Sequence, residues 1–332
     1  MNLIKGIHTM TSQRQLKLLS ESQILLQAEK FVQEIISCEF YSEQLTYFKY
    51  LLEQFELIYD IDLFYSDYLQ AFIKLKLILD GIRYSPFQSI GSDQPTPDNY
   101  DFVLSLTPEQ LQELLKQAQL CKNSIYTGIE QFQLQEVNNA KSLEEYLTKL
   151  FQHYARILVV RVDLKYTKEA QQHINIEQFY QHFEKMRNRL SNQDTCFENL
   201  HGHAWAMEQG AENGGYHVHL LLIYSADKHR SGSYLAQQVG EKWIELTNQQ
   251  GAYYNLHNKA YINQLIMQGN EIGLGTLSRD VEGDLNKLLT VGLYLTKETK
   301  ESQRLRVKTT KGMQTFGHGT FEIDSRRGIK KG

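Results

Sequence analysis

Two histidines one residue apart, His217 and His219, stand at the head of an apolar run in GGYHVHLLLIY, residues 214–224. Successive side chains of a strand point to opposite faces. His217, His219, Leu221 and Ile223 then share one face, and Tyr216, Val218, Leu220, Leu222 and Tyr224 the other. Apolar residues on both faces predict a central, covered strand. Two imidazoles side by side on such a strand can hold one divalent ion, or can simply hydrogen-bond at a strand end. A second pair, His201 and His203 in HGH, competes for the role but has no acidic residue across a turn.

Glu208 supplies that acid for the first pair. It closes the strand-like HAWAMEQ, and GAENGG follows, with the Asn-Gly-Gly signal of a hairpin. Pairing 208 with 217 requires a connection of about eight residues, long for a hairpin but with suitable turn chemistry. A carboxylate beside two imidazoles makes a three-ligand site with open positions. Mg²⁺ or Mn²⁺ can use such a site for phosphate chemistry. Downstream, LYLTKE places Tyr294 and Lys297 three residues apart, on one face if the segment is helical. A phenol can attack phosphorus if positive charge, here from Lys297, offsets the developing phenolate. Packing on an amphipathic helix is the plain structural reading of the same tyrosine.

These residues need elements to carry them. Residues 12–80 contain neither Gly nor Pro, and their apolar residues recur at helical spacing, predicting two or three amphipathic helices. Residues 81–104 hold Pro86, Pro95 and Pro97 and read as a loop or linker. Thr107, Pro108 and Gln110 form a capping-box signature, and Ser142 with Glu145 suggests a second helix start. From residue 156 the character changes. RILVVRVDLKY reads as a strand with Arg161, Asp163 and Lys165 at every second place. A helix over about 175–190, the two strands of the hairpin, and a helix over about 233–247 follow. GAYYN and AYINQLI look strand-like, and DLNKLLTVGLYLTKETK looks helical. The order predicts an α+β fold with an antiparallel sheet after a mostly helical N-terminal part. The expected division is a helical domain at 1–150, a sheet domain at 151–322 and a basic tail at 323–332.

The totals are permissive. The 332-residue chain carries a net charge of −4. From residue 297 onward, however, ten Lys and Arg face four Asp and Glu, leaving +6 there and −10 elsewhere. A basic end on an acidic body permits local phosphate binding. Cys38, Cys121 and Cys196 form no disulfide framework or CxxC site, which fits a reducing cytoplasm. No apolar stretch long enough for a membrane span and no signal peptide are seen. The absence of GxxxxGK[ST] argues against a nucleotide cofactor or a fused helicase.

Strand HxH, a Glu across a hairpin and a downstream YxxK together resemble the HUH endonucleases, a group of rolling-circle initiators, relaxases and transposases. RVDLKY, YHVHLLLIY, VGLYLTKE and the closing TFGHG are similar in particular to the inovirus-type replication initiators with a YagK/YfjJ-type domain of phages and prophages, over about residues 155–320. The resemblance implies a ferredoxin-like or RNA-recognition-like sheet. It implies a divalent metal, Mg²⁺ or Mn²⁺, on His217, His219 and Glu208. It implies Tyr294 as the nucleophile, assisted by Lys297, and single-stranded or extruded origin DNA in a bacterial host cell as the substrate. Arg161, Asp163, Lys165, Tyr253 and Tyr254 are candidate DNA contacts, with a charged sheet face or packing as the alternative. A single candidate nucleophile is visible, whereas some initiators use two tyrosines. A catalytically silent DNA-binding copy and an unrelated metal-dependent phosphohydrolase remain as competing readings. The resemblance does not reach residues 1–150, for which origin recognition, recruitment of a host helicase and self-association stay open.

Overall fold

The computed structural model describes residues 19–37, 44–83, 99–210, 215–269, 271–296 and 302–321. The expected linker core, the hairpin turn at 211–214, Lys297 and the basic tail lie outside these residues.

The Gly- and Pro-free N-terminal stretch folds as its periodicity predicts. Helices α1 (Glu21–Ser37), α2 (Leu45–Glu56) and α3 (Asp67–Arg83) bury their apolar stripes against one another. Phe31 stacks on Phe48 and meets Phe72 edge-on, and Phe55 lies tilted against Phe72. Helix α4 (Pro108–Leu120) starts at Thr107 with the full capping box to Gln110. The second expected helix start is not used. Helix α5 runs unbroken through Lys122–His153, so Ser142 is a mid-helix residue. Its hydroxyl pairs with His318 Nε2 at 2.9 Å instead of capping.

Strands β2 (Arg156–Tyr166), β3 (Leu200–Gln209), β4 (Tyr216–Ser225) and β5 (Gly251–Asn255) are separated in the chain by α6 (Ile176–Asn192), the β3–β4 hairpin and α7 (Gly232–Leu246). All pairings are antiparallel, in the order β5-β2-β4-β3. Fourth, first, third, second with a βαββαβ chain order is the ferredoxin-like arrangement. The short strand β8 (Phe316–His318) extends the β3 edge, and β6 (Gly275–Ser278) pairs with β2 beyond β5. A separate two-stranded ribbon joins β1 (Phe64–Tyr65) to β7 (Val307–Lys308).

Alternation decides what each face of the sheet meets. Val160, Val162, Leu220 and Leu222 belong to the same core as α6, α7 and the N-terminal helices. Val159, Leu221 and Ile223 face a second core built from Leu147 and Leu150 of α5 and Leu288 of α9 (Asp284–Gly292). This second layer covers only part of its face, and the His217 end of β4 extends past it.

Two segments depart from expectation. AYINQLI is not a strand but lies within helix α8 (Lys259–Met267), capped by Asn258, whose side chain accepts from Ala260 N. Tyr261, Ile262, Leu265 and Ile266 recur at helical intervals, and that period outweighs their β propensity. The expected helix through Tyr294 stops at Gly292 and tightens to a 3₁₀ turn over Leu293–Thr296.

Candidate metal centre and active site

The register of the hairpin sets Glu208 directly opposite His217. Opposed residues of an antiparallel pair share a face. Strand β2 lies on the other side of β4 and places Asp163 opposite His219. One face thus gathers Glu208, His217, His219, Asp163 and, two residues back along β2, Arg161.

The ligand atoms of Glu208, His217 and His219 all lie within 4.8 Å of one another, a group that can hold a metal ion. Glu208 Oε2 is 3.2 Å from His219 Nε2 and 3.5 Å from His217 Nε2. Both remaining ring nitrogens are occupied elsewhere. His217 Nδ1 donates to the Gly215 carbonyl at 3.1 Å, and His219 Nδ1 donates to Asp163 Oδ1 at 2.6 Å. Such outer partners fix the orientation of each ring and turn its Nε2 toward Glu208, where a metal ion would take the place of a proton. The donor set of two imidazoles and one carboxylate, with both Nε2 atoms aimed at the carboxylate, fits a divalent cation.

Burial separates the two histidines. His219 and Glu208 are 5% and 6% exposed, while His217 is only partly buried. For His219, burial opposes the charged ring, but the hydrogen bonds to Asp163 and Glu208 outweigh it and hold its pKa above the ordinary imidazole value. The Asp163 carboxyl is also penalised by burial. Its hydrogen bond to His219 and the charges of His219 and Arg161 prevail, keeping it below the usual carboxylate range.

Tyr294 lies on the same face. Its ring meets the His219 ring edge-on, with centroids 5.6 Å apart at 85°. The Arg161 guanidinium carbon sits 4.0 Å from the centroid of the Tyr294 ring. Arg161 is itself buried and lies 3.5 Å from Asp163 Oδ1. An unbroken chain of contacts therefore runs from the tyrosine through the guanidinium and Asp163 to His219.

The other candidates divide. Lys165 is exposed and continues the Arg161–Asp163 face outward. Tyr254, opposite Asp163 across the β2–β5 ladder, lies on the site face. Tyr253 is on the reverse face, where its ring fills the space above Gly240 of α7. The rival HGH pair lies at the start of β3. His201 stacks on Tyr154 at 3.6 Å. Burial pushes both His201 and His203 down to about 4. Among the described residues they join no cluster of converging ligand atoms.

Sequence reasoning did not see Tyr261. It sits on α8, edge-on to Tyr254 at 5.8 Å. Burial pushes its phenol up, with Arg161 acting in the opposite direction. The helical spacing of its neighbours was the signal that could have found it. Asp163 was seen as a groove contact, not as the partner of His219. Strand alternation alone cannot tell those roles apart.

A family model described as the YagK/YfjJ C-terminal domain matches residues 123–319. The match begins at α5 and ends just after β8, so it includes the whole sheet and every residue of the cluster. Comparison with curated proteins and with solved structures returned no match.

Proposed function

Because the chain belongs to the YagK/YfjJ C-terminal domain family, we propose that it is a metal-dependent enzyme that nicks and rejoins single-stranded or extruded DNA to start rolling-circle replication. The observation that carries this reading is the Tyr294 ring packed edge-on against His219, one of the three potential metal ligands. A metal-dependent hydrolase needs no phenol at that place. A tyrosine transferase does.

His217, His219 and Glu208 would hold Mg²⁺ or Mn²⁺, which when bound polarises the scissile phosphate. Asp163 keeps His219 in the ligating orientation. Tyr294 Oη attacks the phosphorus in line, forming a phosphotyrosine bond to the 5′ side as the bond to the 3′ oxygen breaks. The phenolic proton is, on balance, taken up by the departing 3′ oxygen. The guanidinium of Arg161 on the ring face favours the negative charge that develops on the phenol. One phosphodiester replaces another, so reversal by a 3′ hydroxyl reseals the strand without ATP. Lys297 would add positive charge near the phenol. Such a protein works in the cytoplasm of a bacterial host, with origin DNA as its partner and a host helicase as a further one.

The test is adduct formation. Purified protein with Mn²⁺ or Mg²⁺ is incubated with a pool of labelled single-stranded oligonucleotides and resolved under denaturing conditions. Wild type should retain label, and Tyr294→Phe should not. A full yield of adduct from the Tyr294→Phe variant would remove Tyr294 from its role. Cleavage lost in His217→Ala yet retained in Tyr294→Phe would instead identify a phosphohydrolase. Binding without adduct under every metal would identify a silent DNA-binding protein.

A further inference from the structure

A cavity of about 400 Å³ opens beside the metal group, between strand β3, helix α5 and the β1–β7 ribbon. Glu208 forms part of one wall. The β1–β7 ribbon and helix α5 form others, through Phe64, Lys308 and Phe132. Its size falls within the roughly 300–1,000 Å³ of small-ligand sites.

The charges around it are mostly committed. Arg304 and Arg306 both pair with Glu29 of α1, at 2.9 and 3.3 Å. Asp67 accepts from Ser124, and Glu136 accepts from Asn139. Glu208 faces the histidines. Lys308 and the exposed Lys311 are the exceptions, and of the two the structure partly buries Lys308. Its ammonium has no hydrogen bond or ion pair among the described residues, and it is only partly exposed. Burial pushes its pKa down with no anion to oppose the effect. A partly desolvated cation without a partner costs stability unless something anionic meets it. Directly opposite Lys308 on the ribbon is Phe64, a residue 45% exposed. Cross-strand partners share a face. The ribbon therefore presents a flat apolar ring and an uncommitted cation side by side, next to a metal ligand.

Ring and cation together match a nucleotide: a base to stack and a phosphate to neutralise. We infer that this cavity holds a nucleotide unit of the strand next to the phosphate gripped at Glu208, His217 and His219, with Phe64 under the base and Lys308 on the phosphate. The inference rests on the proposed function and extends it by giving the N-terminal part of the chain one wall of the strand-binding surface.

Full-length protein in EDTA, which removes any metal contribution, is titrated against fluorescein-labelled oligothymidylate at several salt concentrations. Lys308→Met keeps the apolar stem and removes the charge. It should weaken binding about fivefold or more and lower the salt slope by about 0.7, the value for one phosphate contact on a single strand. Phe64→Ala should weaken binding at least fivefold. The Tm of Lys308→Met should not fall, which excludes unfolding as the cause. Unchanged affinity and salt slope in both variants overturn the inference, even where Tyr294-dependent adduct forms. Inorganic phosphate that displaces the oligonucleotide from wild type but not from Lys308→Met would show a simple anion site and overturn it as well. Lys308-dependent binding in a protein that forms no adduct with any metal would support the cavity assignment while ending the catalytic reading.

Discussion

Asp163 Oδ1 and His219 Nδ1 lie 2.6 Å apart, joining the first strand of the sheet to the third. The contact turns His219 so that its Nε2 faces Glu208. Removing the carboxylate should therefore damage metal binding without touching a ligand. Asp163→Ala is expected to weaken Mn²⁺ affinity by about 10- to 100-fold in isothermal titration calorimetry. Affinity equal to wild type would show that packing alone orients the ring.

The two histidines should respond differently to truncation. His219 is buried between two carboxylates, so His219→Ala leaves Asp163 and Glu208 short of a partner. A loss of about 2–4 kcal/mol of stability is expected from urea unfolding. His217 is partly exposed and makes its firm bond to a backbone carbonyl, so His217→Ala should cost less than about 1 kcal/mol. Both variants should lose metal binding. Equal destabilisation would contradict the burial difference.

Arg161 offers a planar face to the Tyr294 ring, and lysine cannot reproduce it. Arg161→Lys should slow adduct formation roughly tenfold or more while leaving Mn²⁺ affinity near wild type. A parallel fall in both would place Arg161 in the metal site's support instead.

Glu21 of α1 links the N-terminal helices to the His strand. It accepts from Tyr216 Oη at 2.6 Å and from Ile176 N at 2.8 Å. Burial raises its pKa from 4.5 to about 7. A raised carboxyl pKa means that the folded state holds the proton longer than the unfolded chain. Its contribution is fully present below about pH 4.5 and is lost as pH rises to about 7. The loss should reach about 3 kcal/mol. Glu21→Gln keeps the acceptor and removes the titration, so its stability should vary less over that window. An identical pH profile in both proteins would show that Glu21 titrates normally.

Much of the architecture was legible because it is local. The Thr107–Gln110 box caps the helix it precedes, the helix expected over about 175–190 forms as Ile176–Asn192, and alternation in residues 216–224 marks a doubly covered strand. The failures arose where a local signal met a tertiary competitor. Ser142 resembles a helix start, yet its hydroxyl serves His318, which lies 176 residues away. Lys297, three residues beyond Tyr294 in the sequence, lies outside the described residues.

By itself the sequence determined which residues share a face, because side-chain period is a property of the chain: His217 with His219, and Arg161 with Asp163. It also placed Glu208 across a turn of the right chemistry. Only the tertiary structure decided which faces meet. Strand order brought Asp163 to His219, and the end of α9 at Gly292 brought Tyr294 onto the same imidazole beneath Arg161. Those contacts join residues far apart in the chain, and periodicity holds no information about the pairing of distant segments.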